Sequence, residues 1–287
     1  MDARHPMFGS EGFGAQNDAT RRVRHDGAAS SVSDVLLDVA IRAALAAGDE
    51  ILKIYAEPFE VVQKSDQTPV TEADLAAERV IVAMLSEAFP DIPIVSEETA
   101  PEDGFKPPAA RFWVVDPLDG TREFVAKNGE FAVCIGLVED GVPVMGVVHG
   151  PARRITYAAD GPGTAVRIRD GGAPEAIGAR VPGPGGLVVI HSRSHENSRR
   201  LAEYLDGRPV LERMICGSAL KFGLLAEGTA DFYPRFGNTM EWDTAAGQAI
   251  LEAAGGSVID LDGARLRYGK HDLKNHGFLA WGAKPAW

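Results

Sequence analysis

The residues best suited to chemistry are acidic side chains that follow apolar segments. The clearest case is the hexapeptide 116–121, Asp-Pro-Leu-Asp-Gly-Thr, directly after the apolar run Phe112–Val115. Proline and Asp-Gly favour a turn by themselves, so a turn with no further role is one interpretation. The other is that Asp116 and Asp119 leave a strand end together and bind a hard cation. Mg²⁺ prefers such oxygen ligands and is usually shared with a phosphate group.

A second acidic pair, Glu97-Glu98, follows the apolar run Ile92–Val95 and again stands at the end of a predicted strand. A solvated acidic loop is the simpler interpretation of this pair alone. Acidic residues at the end of a second predicted strand strengthen the metal-binding interpretation, because ligands for one cation commonly come from neighbouring elements.

Two further aspartates have good structural explanations. Asp243 directly precedes a helix predicted from Thr244, where aspartate is a good N-cap. Capping and metal ligation are compatible there, because a carboxylate has two oxygens. Asp74 ends the segment 71–74, Thr-Glu-Ala-Asp, which resembles a capping box with aspartate in place of glutamate or glutamine. The residues alone favour the cap for Asp74 and leave both roles open for Asp243.

Electrostatics connects these acidic sites. Two unit charges about 4 Å apart repel by roughly 4 kcal/mol at an effective dielectric constant near 20. If Glu97, Asp116, Asp119 and Asp243 converge, cations must lie between them, and without cations some carboxyl pKa values must rise. An acidic cluster and an anionic substrate are compatible only through metal.

Composition excludes several classes of protein. The chain has 287 residues, 45% hydrophobic and 24% charged, which excludes a largely disordered protein. Its net charge of −12 argues against binding to a nucleic acid polymer. Its two cysteines, Cys134 and Cys216, provide no disulfide framework and are predicted to be buried free thiols. No apolar run is long enough to span a bilayer, so we expect a cytoplasmic protein, with any association at the inner membrane peripheral.

Hydrophobic periodicity predicts the elements that carry the acids. Residues 1–31 have no periodicity and are predicted to be a flexible leader outside the fold. One helix is predicted from Ser33 to about Tyr55, and a second follows Thr71 and ends before Pro90. The predicted strands of the following block are Ile92–Val95, Phe112–Val115, Phe131–Val138, Val144–Val148 and Ile155–Ala158.

The later part of the chain alternates strands and helices. The step 139–141, Glu-Asp-Gly, predicts a hairpin turn and antiparallel pairing. The loop Pro182–Gly186 predicts the boundary between an N-terminal metal-binding α+β subdomain, 32–182, and a C-terminal α/β subdomain, 183–287, that completes the active site. The pattern predicts layered α and β structure with a mixed sheet. The elements predicted beyond the boundary are a strand Leu187–Ile190 and helices Glu196–Leu205, Ser218–Ala226 and Thr244–Ala254.

Three motifs in this order resemble the inositol monophosphatase superfamily. They are Glu97-Glu98 after an apolar strand, the hexapeptide 116–121, and the much later segment 242–247, Trp-Asp-Thr-Ala-Ala-Gly. The resemblance covers nearly the whole chain from about Ser33. It implies a metal-dependent, lithium-sensitive phosphomonoesterase with a layered αβαβα sandwich, a mixed, largely antiparallel N-terminal sheet and a smaller C-terminal α/β sheet.

Within that superfamily the chain resembles the bacterial CysQ-type branch of 3′(2′),5′-bisphosphate nucleotidases. Arg122 stands where this branch often has lysine, which keeps the charge. The motifs that carry the resemblance are Asp-Gly-Thr-Arg-Glu-Phe (119–124) with Asn-Gly-Glu-Phe (128–131), Ser-Arg-Ser-His (192–195), Gly-Ser-Ala-Leu-Lys-Phe (217–222) and Tyr-Pro-Arg-Phe-Gly (233–237).

The resemblance implies a role for each matching residue. Asp74 and Thr121 would orient the attacking water, with Glu97 as a further catalytic residue. Lys221 would meet a second phosphate, which inositol phosphate lacks. The implied ligands of two or three Mg²⁺ ions are Glu97, Asp116, Asp119, Asp243 and the backbone carbonyl of Leu118. The implied substrate-binding residues are Lys64, Leu118, Asp119, Gly120, Thr121, Ser194, His195, Gly217, Ser218, Lys221 and Asp243.

Two of the implied substrate-binding residues keep an alternative interpretation. Lys64 can equally be a surface lysine in a loop, and His195 can pack at a helix end. Arg235, in the last motif, can have a structural role.

The resemblance also implies an activity. A small-molecule nucleotide, adenosine 3′,5′-bisphosphate, would lose its 3′-phosphate to give AMP and phosphate, in the clearance of that nucleotide during sulfate assimilation. Homodimers are common in the superfamily. The alternatives are a phosphatase of inositol phosphate or histidinol phosphate, and a non-catalytic nucleotide or metal sensor on the same fold. The complete set of acidic residues and Thr121 argues against the sensor.

Overall fold

The computed structural model describes residues 31–63, 69–100, 109–193 and 198–283. Elements are numbered here along these residues. The helices are α1 Val32–Ala56, α2 Glu72–Ala88, α3 Thr121–Val125, α4 Ser198–Tyr204, α5 Leu220–Ala226 and α6 Ala245–Ala253. The strands of the first half are β1 Val61–Gln63, β2 Pro69–Thr71, β3 Ile94–Ser96, β4 Arg111–Asp119, β5 Ala132–Glu139, β6 Val142–Gly150, β7 Ile155–Ala159, β8 Val166–Arg169 and β9 Glu175–Ala176. Those of the second half are β10 Leu187–His191, β11 Val210–Ile215, β12 Phe232–Arg235, β13 Thr239–Met240, β14 Ser257–Ile259, β15 Lys274–Asn275 and β16 Phe278–Trp281.

Helices α1 and α2 begin at capping boxes that the sequence encodes. The Ser31 side chain accepts from the Asp34 N–H, and the Asp34 carboxylate accepts from the Ser31 N–H. Thr71 and Asp74 form the same reciprocal pair at the start of α2, which stabilises both first turns. The buried faces of α1 and α2 pack against each other and against one face of a large sheet.

The large sheet has seven strands in the order β3-β4-β5-β6-β7-β8-β9. β3 is parallel to β4, and every later pair is antiparallel. Side chains alternate along β4, as period-two geometry requires. Trp113 and Val115 pack on the α1–α2 side, whereas Phe112 and Val114 face the opposite layer.

The second sheet has five strands in the order β11-β10-β12-β16-β14. β10 is parallel to β11 and β12, and β16 is antiparallel to its neighbours β12 and β14. Leu187 and Val189 of β10 pack with Leu201 of α4, whereas Val188 and Ile190 face the layer that contains α5 and α6. The layer order is therefore helix pair, seven-stranded sheet, helix pair, five-stranded sheet, helix, and this confirms the αβαβα sandwich.

A bulge in β4 decides where its aspartates point. Asp116 is opposite Cys134 and Asp119 is opposite Ala132, so three steps along β4 match two along β5. One extra residue reverses the alternation. Leu118 accordingly packs into the α1–α2 core, and Asp119 returns to the side that Asp116 faces. Pro117 lies in this stretch, and its lack of an N–H suits a position where the ladder is interrupted.

Helix α6 lies directly on the seven-stranded sheet because two glycines leave room for it. Gly136 and Gly146 are opposite each other in β5 and β6. A Cβ at Gly146 would lie 2.2 Å from the Ala246 carbonyl oxygen, and one at Gly136 would lie 3.0 Å from the Ala246 nitrogen. This close approach places the start of α6, and Asp243 just before it, over the sheet beside the bulge.

Most sequence predictions for the elements are confirmed within a few residues. The hairpin at Glu139-Asp140-Gly141 is antiparallel as predicted, and both cysteines are free and buried. The predicted strand end before Asp116 is wrong, because β4 continues to Asp119 through the bulge. The predicted helix from Ser218 begins at Leu220, because Ser218 has a positive φ of 53°. Sequence analysis missed the strands β1, β2, β8, β9 and β11 to β16, which are short or contain charged residues or proline.

Other predictions concern regions that the structure does not describe or does not divide. The predicted leader, apart from Ser31, and the first two residues, 196–197, of the predicted helix Glu196–Leu205 lie outside the described residues. The described residues from Ser31 onward belong to one compact unit, and the boundary between 182 and 183 stays a prediction. Among the described residues, no helix is long and apolar enough to cross a bilayer.

Candidate metal centre and substrate cleft

Three carboxylates from two distant parts of the chain meet at one end of a cleft. Asp116 and Asp119 project from the bulge of β4, and Asp243 precedes α6. One carboxylate oxygen from each of the three lies within 4.8 Å of the others. The bulge makes this possible, since regular alternation would turn Asp116 and Asp119 to opposite faces of the sheet.

The cluster has few hydrogen-bond donors for its charge. Asp116 Oδ1 accepts the Leu118 N–H at 3.0 Å, and Asp243 Oδ2 accepts the Met240 N–H at 2.9 Å. An Asp119 oxygen accepts the Ala219 N–H. Asp243 is therefore not the N-cap of α6 as one interpretation of the sequence predicted: Thr244 occupies that position, without a side-chain capping bond.

The electrostatics of the cluster matches the expectation for a cation site without its cation. Burial, with the charges of Glu97 and Asp119, raises the pKa of Asp116 well above its ordinary value. Burial and Asp119 likewise raise the pKa of Asp243 strongly. The pKa of Asp119 rises to about 6, mainly through burial, although the Lys221 ammonium and the Ala219 N–H oppose the shift.

Glu97 completes the acidic side of the cleft. Its N–H donates to the Val115 carbonyl at 3.1 Å, which continues the parallel pairing of β3 with β4. Its side chain lines the same cleft as Asp116 and Asp119, and its charge contributes to the raised pKa values of Asp116 and Asp74.

This donor set fits a divalent metal. The ligands are carboxylate oxygens, the type that Mg²⁺ prefers. Carboxyl groups this close, with strongly raised pKa values, are stabilised by a bound cation far more than by neighbouring N–H groups. The Leu118 carbonyl, also predicted as a ligand, lies in the same segment and accepts from Thr121 Oγ1 at 3.4 Å.

Asp74 forms the predicted capping box and also contacts Thr121. One oxygen accepts the Thr71 N–H at 2.7 Å and the Thr71 hydroxyl at 2.8 Å, which forms the capping box. The other accepts the Thr121 hydroxyl at 3.2 Å. Burial raises the pKa of Asp74 despite these bonds. The first turn of α2 thus holds the Thr121 hydroxyl at the edge of the acidic cluster.

The turn 217–221 forms the wall beside Asp119. Gly217, Ser218 and Lys221 line the cleft, as the predicted substrate-binding set requires. The Lys221 ammonium donates to the Ser218 carbonyl and lies 4.9 Å from the centroid of the Tyr233 ring. Lys221 is only 3% exposed, so its ammonium is held in place inside this wall.

Several residues of the cleft were not predicted as site residues. Arg235 donates to the Ser192 hydroxyl at 3.5 Å and to the Asn238 carbonyl at 3.2 Å. Both Arg235 and Ser192 belong to motifs that the sequence analysis singled out, but neither residue was predicted to bind substrate. The additional lining residues are Arg122, Glu123, Ser192, Ala219, Phe222, Tyr233, Arg235, Thr239 and Thr244.

Three predicted substrate-binding residues, Lys64, Ser194 and His195, lie outside the described residues. Their roles, and the alternatives of a surface lysine and helix-end packing, stay predictions.

Comparison with known proteins identifies the family. The model of the inositol monophosphatase family matches residues 33–284. The chain belongs to that family. Its relatives include the 3′(2′),5′-bisphosphate nucleotidase CysQ of Salmonella typhimurium, 45% identical over 255 residues, which cover 85% of this chain and 98% of the relative. The protein of the same description from Haemophilus influenzae is 31% identical over 260 residues, 88% of this chain and 94% of the relative.

Solved structures agree with this assignment. CysQ from Bacteroides thetaiotaomicron, a bacterial member of the inositol monophosphatase family, superimposes with a TM-score of 0.75 at 37% identity, over 87% of this chain and 98% of that one. Inositol monophosphatase from Anabaena gives a TM-score of 0.67 at 28% identity, over 87% and 91%. The chain is a metal-dependent phosphatase of the inositol monophosphatase family, and its acidic cluster is the place where the family's metal chemistry fits.

Proposed function

We propose that the protein hydrolyses the 3′-phosphate of adenosine 3′,5′-bisphosphate to give AMP and phosphate. The observation that carries the proposal is the meeting of Asp116, Asp119 and Asp243 beside the turn 217–221, which carries Lys221 into the same cleft. An acidic cluster needs cations before it can accept a phosphate, and a second phosphate needs its own positive partner. The relatives named 3′(2′),5′-bisphosphate nucleotidase, matched over nearly their full length, support this substrate.

The acidic residues would hold two or three Mg²⁺ ions. Glu97, Asp116, Asp119, Asp243 and the Leu118 carbonyl are the proposed ligands. Divalent cations held there would neutralise the charge of the phosphoryl oxygens and favour deprotonation of the attacking water. A homodimer is a further part of the proposal that rests on the family resemblance alone.

The protein's own groups would orient the reactants. The Thr121 hydroxyl, fixed by Asp74, would hold the water in line with the bond from phosphorus to the ribose O3′. Hydrolysis breaks that bond, forms a new bond from phosphorus to the water oxygen, and leaves a proton for O3′. The N–H groups of Gly120 and Thr121 would bind the phosphoryl oxygens. Glu97 would complete the catalytic set, and neither cysteine has a part in the reaction.

The remaining substrate contacts are proposed on the far wall of the cleft. Gly217, Ser218 and Lys221 would contact the nucleotide, together with Ser194 and His195. Lys64 would lie near the phosphate side of the site. A phosphatase of inositol phosphate or histidinol phosphate would share the metal site but would have no use for a cation such as Lys221 at a second phosphate.

Phosphate release from adenosine 3′,5′-bisphosphate, inositol 1-phosphate and histidinol phosphate, with and without Mg²⁺, tests the proposal. We expect strong preference for the nucleotide and loss of turnover on chelation. Preference for either other substrate would keep the metal chemistry and contradict the nucleotide assignment. Binding without turnover of any of the three would favour a sensor.

A matched variant tests the metal ligands separately. Asp119→Asn keeps the size of the side chain and an acceptor for the Ala219 N–H but removes the charge. We expect it to abolish Mg²⁺-dependent turnover, and unchanged turnover would contradict the proposed ligand set.

A further inference from the structure

Glu130 joins groups that are far apart in the sequence. Its Oε2 accepts the Gly217 N–H at 2.8 Å and an Arg193 amino group at 3.3 Å. Its Oε1 accepts an Arg153 amino group at 2.9 Å. The Glu130 side chain is only 10% exposed, and its own N–H is fixed by Asn128 Oδ1 at 2.9 Å. A nearly buried carboxylate therefore satisfies a backbone N–H and two cations at once.

The backbone of residue 130 also separates two segments of the cleft. A Cβ at Gly217 would lie 2.8 Å from the Glu130 carbonyl oxygen, and a Cβ at Gly120 would lie 3.1 Å from the same atom. Both segments are thus pressed against Glu130, and only glycine fits at these contacts without displacement of the backbone. Gly120, which is proposed to bind the phosphate, and Gly217, in the turn 217–221, therefore both pack against the backbone of Glu130.

The turn 217–221 is held at both ends. Glu130 holds the Gly217 N–H at one end, and Asp119 accepts the Ala219 N–H nearer the metal ligands. Between these two bonds lies Ser218, whose φ of 53° is unusual for a serine and needs support from its surroundings. Release of the Gly217 N–H would free the part of the turn that carries Ser218, while the acidic cluster would keep its own bonds.

Arg193 is a cation that Glu130 holds next to a residue of the cleft. Its side chain is 52% exposed and adjoins Ser192, which lines the cleft. A guanidinium has five N–H donors in a planar fork, so a single bond to Glu130 fixes its direction and leaves donors for an anion. A cation held by a nearly buried carboxylate is better ordered than an arginine on an open surface.

We propose that Glu130 is a positioning residue that determines substrate affinity: it fixes the turn 217–221 and directs Arg193 toward the part of the substrate that hydrolysis leaves intact. The inference rests on the proposed function, because a bisphosphate nucleotide has a second anionic group for this wall to recognise. Glu130 acts through Gly217 and Arg193 and has no part in metal binding.

Asp231 provides a matched control with the same chemistry elsewhere. This buried carboxylate accepts the Val188 N–H at 2.7 Å and the Arg180 Nε–H at 2.8 Å, but neither partner lines the cleft, whereas Gly217, the backbone partner of Glu130, does. Glu130→Gln and Asp231→Asn each remove one buried charge from a bond with a backbone N–H and an arginine. A merely structural role would give both variants the same kinetic behaviour.

The experiment measures kcat, KM for adenosine 3′,5′-bisphosphate, half-saturating Mg²⁺ and thermal unfolding for the wild type and both variants. Because the contacts of a buried polar group are lost, we expect Glu130→Gln to raise KM by about tenfold while half-saturating Mg²⁺ stays within about twofold. Asp231→Asn should lower Tm with KM unchanged. Arg193→Ala should raise KM as well, and its effect should add little to Glu130→Gln, because both act through one pair.

Each other outcome has a definite meaning. Equal KM values for both carboxylate variants, raised or unchanged, overturn the positioning role. A change in half-saturating Mg²⁺ with unchanged KM in Glu130→Gln also overturns it, since the residue would then act on the metal site. Full additivity of Arg193→Ala and Glu130→Gln would contradict the shared pair. If the wild type does not hydrolyse the nucleotide, the proposed function fails and this inference fails with it.

Discussion

Glu241 and Asp243 are two residues apart, yet their carboxylates have opposite surroundings. Glu241 is fully buried and accepts the N–H groups of Gly269 at 2.7 Å and Lys270 at 3.0 Å, with the Lys270 ammonium at 2.8 Å. Asp243 has one backbone N–H, from Met240, and faces the charges of Asp119 and Glu97. The first charge is balanced by the fold itself, whereas the second is left for a ligand to balance.

The hydrogen-bonded region around Glu241 holds the chain around Asp243 in place. Asn275 donates to Thr244 Oγ1 at 2.9 Å and to the Met240 carbonyl at 3.2 Å, so it holds the chain on both sides of Asp243. The Tyr268 hydroxyl also donates to Thr244 Oγ1, at 3.1 Å. Four like charges can be kept close together only if the surrounding chain cannot move away, and a fully satisfied polar network provides that rigidity.

The largest effect should come from Asp243→Asn. Because a metal ion contributes several kcal/mol to the reaction, loss of a ligand should lower kcat/KM by roughly a thousandfold. The same change removes repulsion, so the variant should have a higher Tm than the wild type when both are measured with chelator. Calorimetry with chelator and with Mg²⁺ checks this. A lower Tm of the chelated variant would show that Asp243 is balanced like Glu241, and the contrast would be lost.

The close approach of α6 to the sheet positions the segment with Glu241 and Asp243, which precedes this helix. Gly146→Ala disturbs that approach. The new Cβ would overlap the Ala246 carbonyl, at 2.2 Å, and overpacking against backbone should cost about 3 kcal/mol in the free energy of unfolding. We expect half-saturating Mg²⁺ to rise as well, because Asp243 moves with the helix. Gly183→Ala is the control, since a Cβ there meets no atom within 4 Å. Equal denaturant midpoints for the two variants would contradict the tight fit.

Glu241→Gln tests the balanced carboxylate directly. It removes the charge that pairs with Lys270, and the loss should lower the free energy of unfolding by about 2 kcal/mol, because one partner of a buried pair is left behind. Unlike Asp243→Asn, it should destabilise the chelated protein. Added Mg²⁺ should still raise the Tm of this variant. Stabilisation by Glu241→Gln in urea unfolding would refute the assignment of a structural role.

A buried histidine outside both regions gives the smallest effect. Burial lowers the pKa of His149 from 6.5 to about 4, although the Asp49 charge opposes the shift. Below pH 6.5 the unfolded chain therefore binds a proton that the folded protein excludes, and stability falls as the pH falls. Between pH 7 and pH 5.5 we expect a loss of about 1 kcal/mol that is absent in His149→Gln.

The titration of His149 changes the stability of the other variants with pH, including the Glu241 and Asp243 variants, so it needs its own control. His271, an exposed histidine, provides the control: His271→Gln should keep the wild-type slope of unfolding free energy against pH. If His149→Gln keeps that slope too, burial of His149 is not the cause.

Motif order and periodicity were enough to predict the family fold and the acidic cluster. The capping box at Thr71 follows from local sequence, and so do the hairpin after Glu139 and the metal motifs around Asp116. These features depend on residues that are close together in the chain, which is why a pattern can reveal them.

Features that depend on distant contacts escaped prediction. β11 and β12 contain Glu212, Arg213 and Pro234, and their place in the sheet is decided by β10 and β16. The roles of Glu130 and Asn275 depend on partners 87 and 31 residues away. No local pattern marks a glutamate that holds a remote turn, so such residues become visible only in the folded structure.

The bulge in β4 makes the metal centre depend on strand pairing as much as on residue identity. Asp116 and Asp119 are three residues apart, and they face the same layer only because β4 has one residue more than β5 between the pairs Asp116–Cys134 and Asp119–Ala132. The same residues paired in regular alternation would turn one carboxylate toward the apolar core that contains Leu118. A sequence with every ligand intact would then lack the site, so a change that removes the bulge is more damaging than most substitutions.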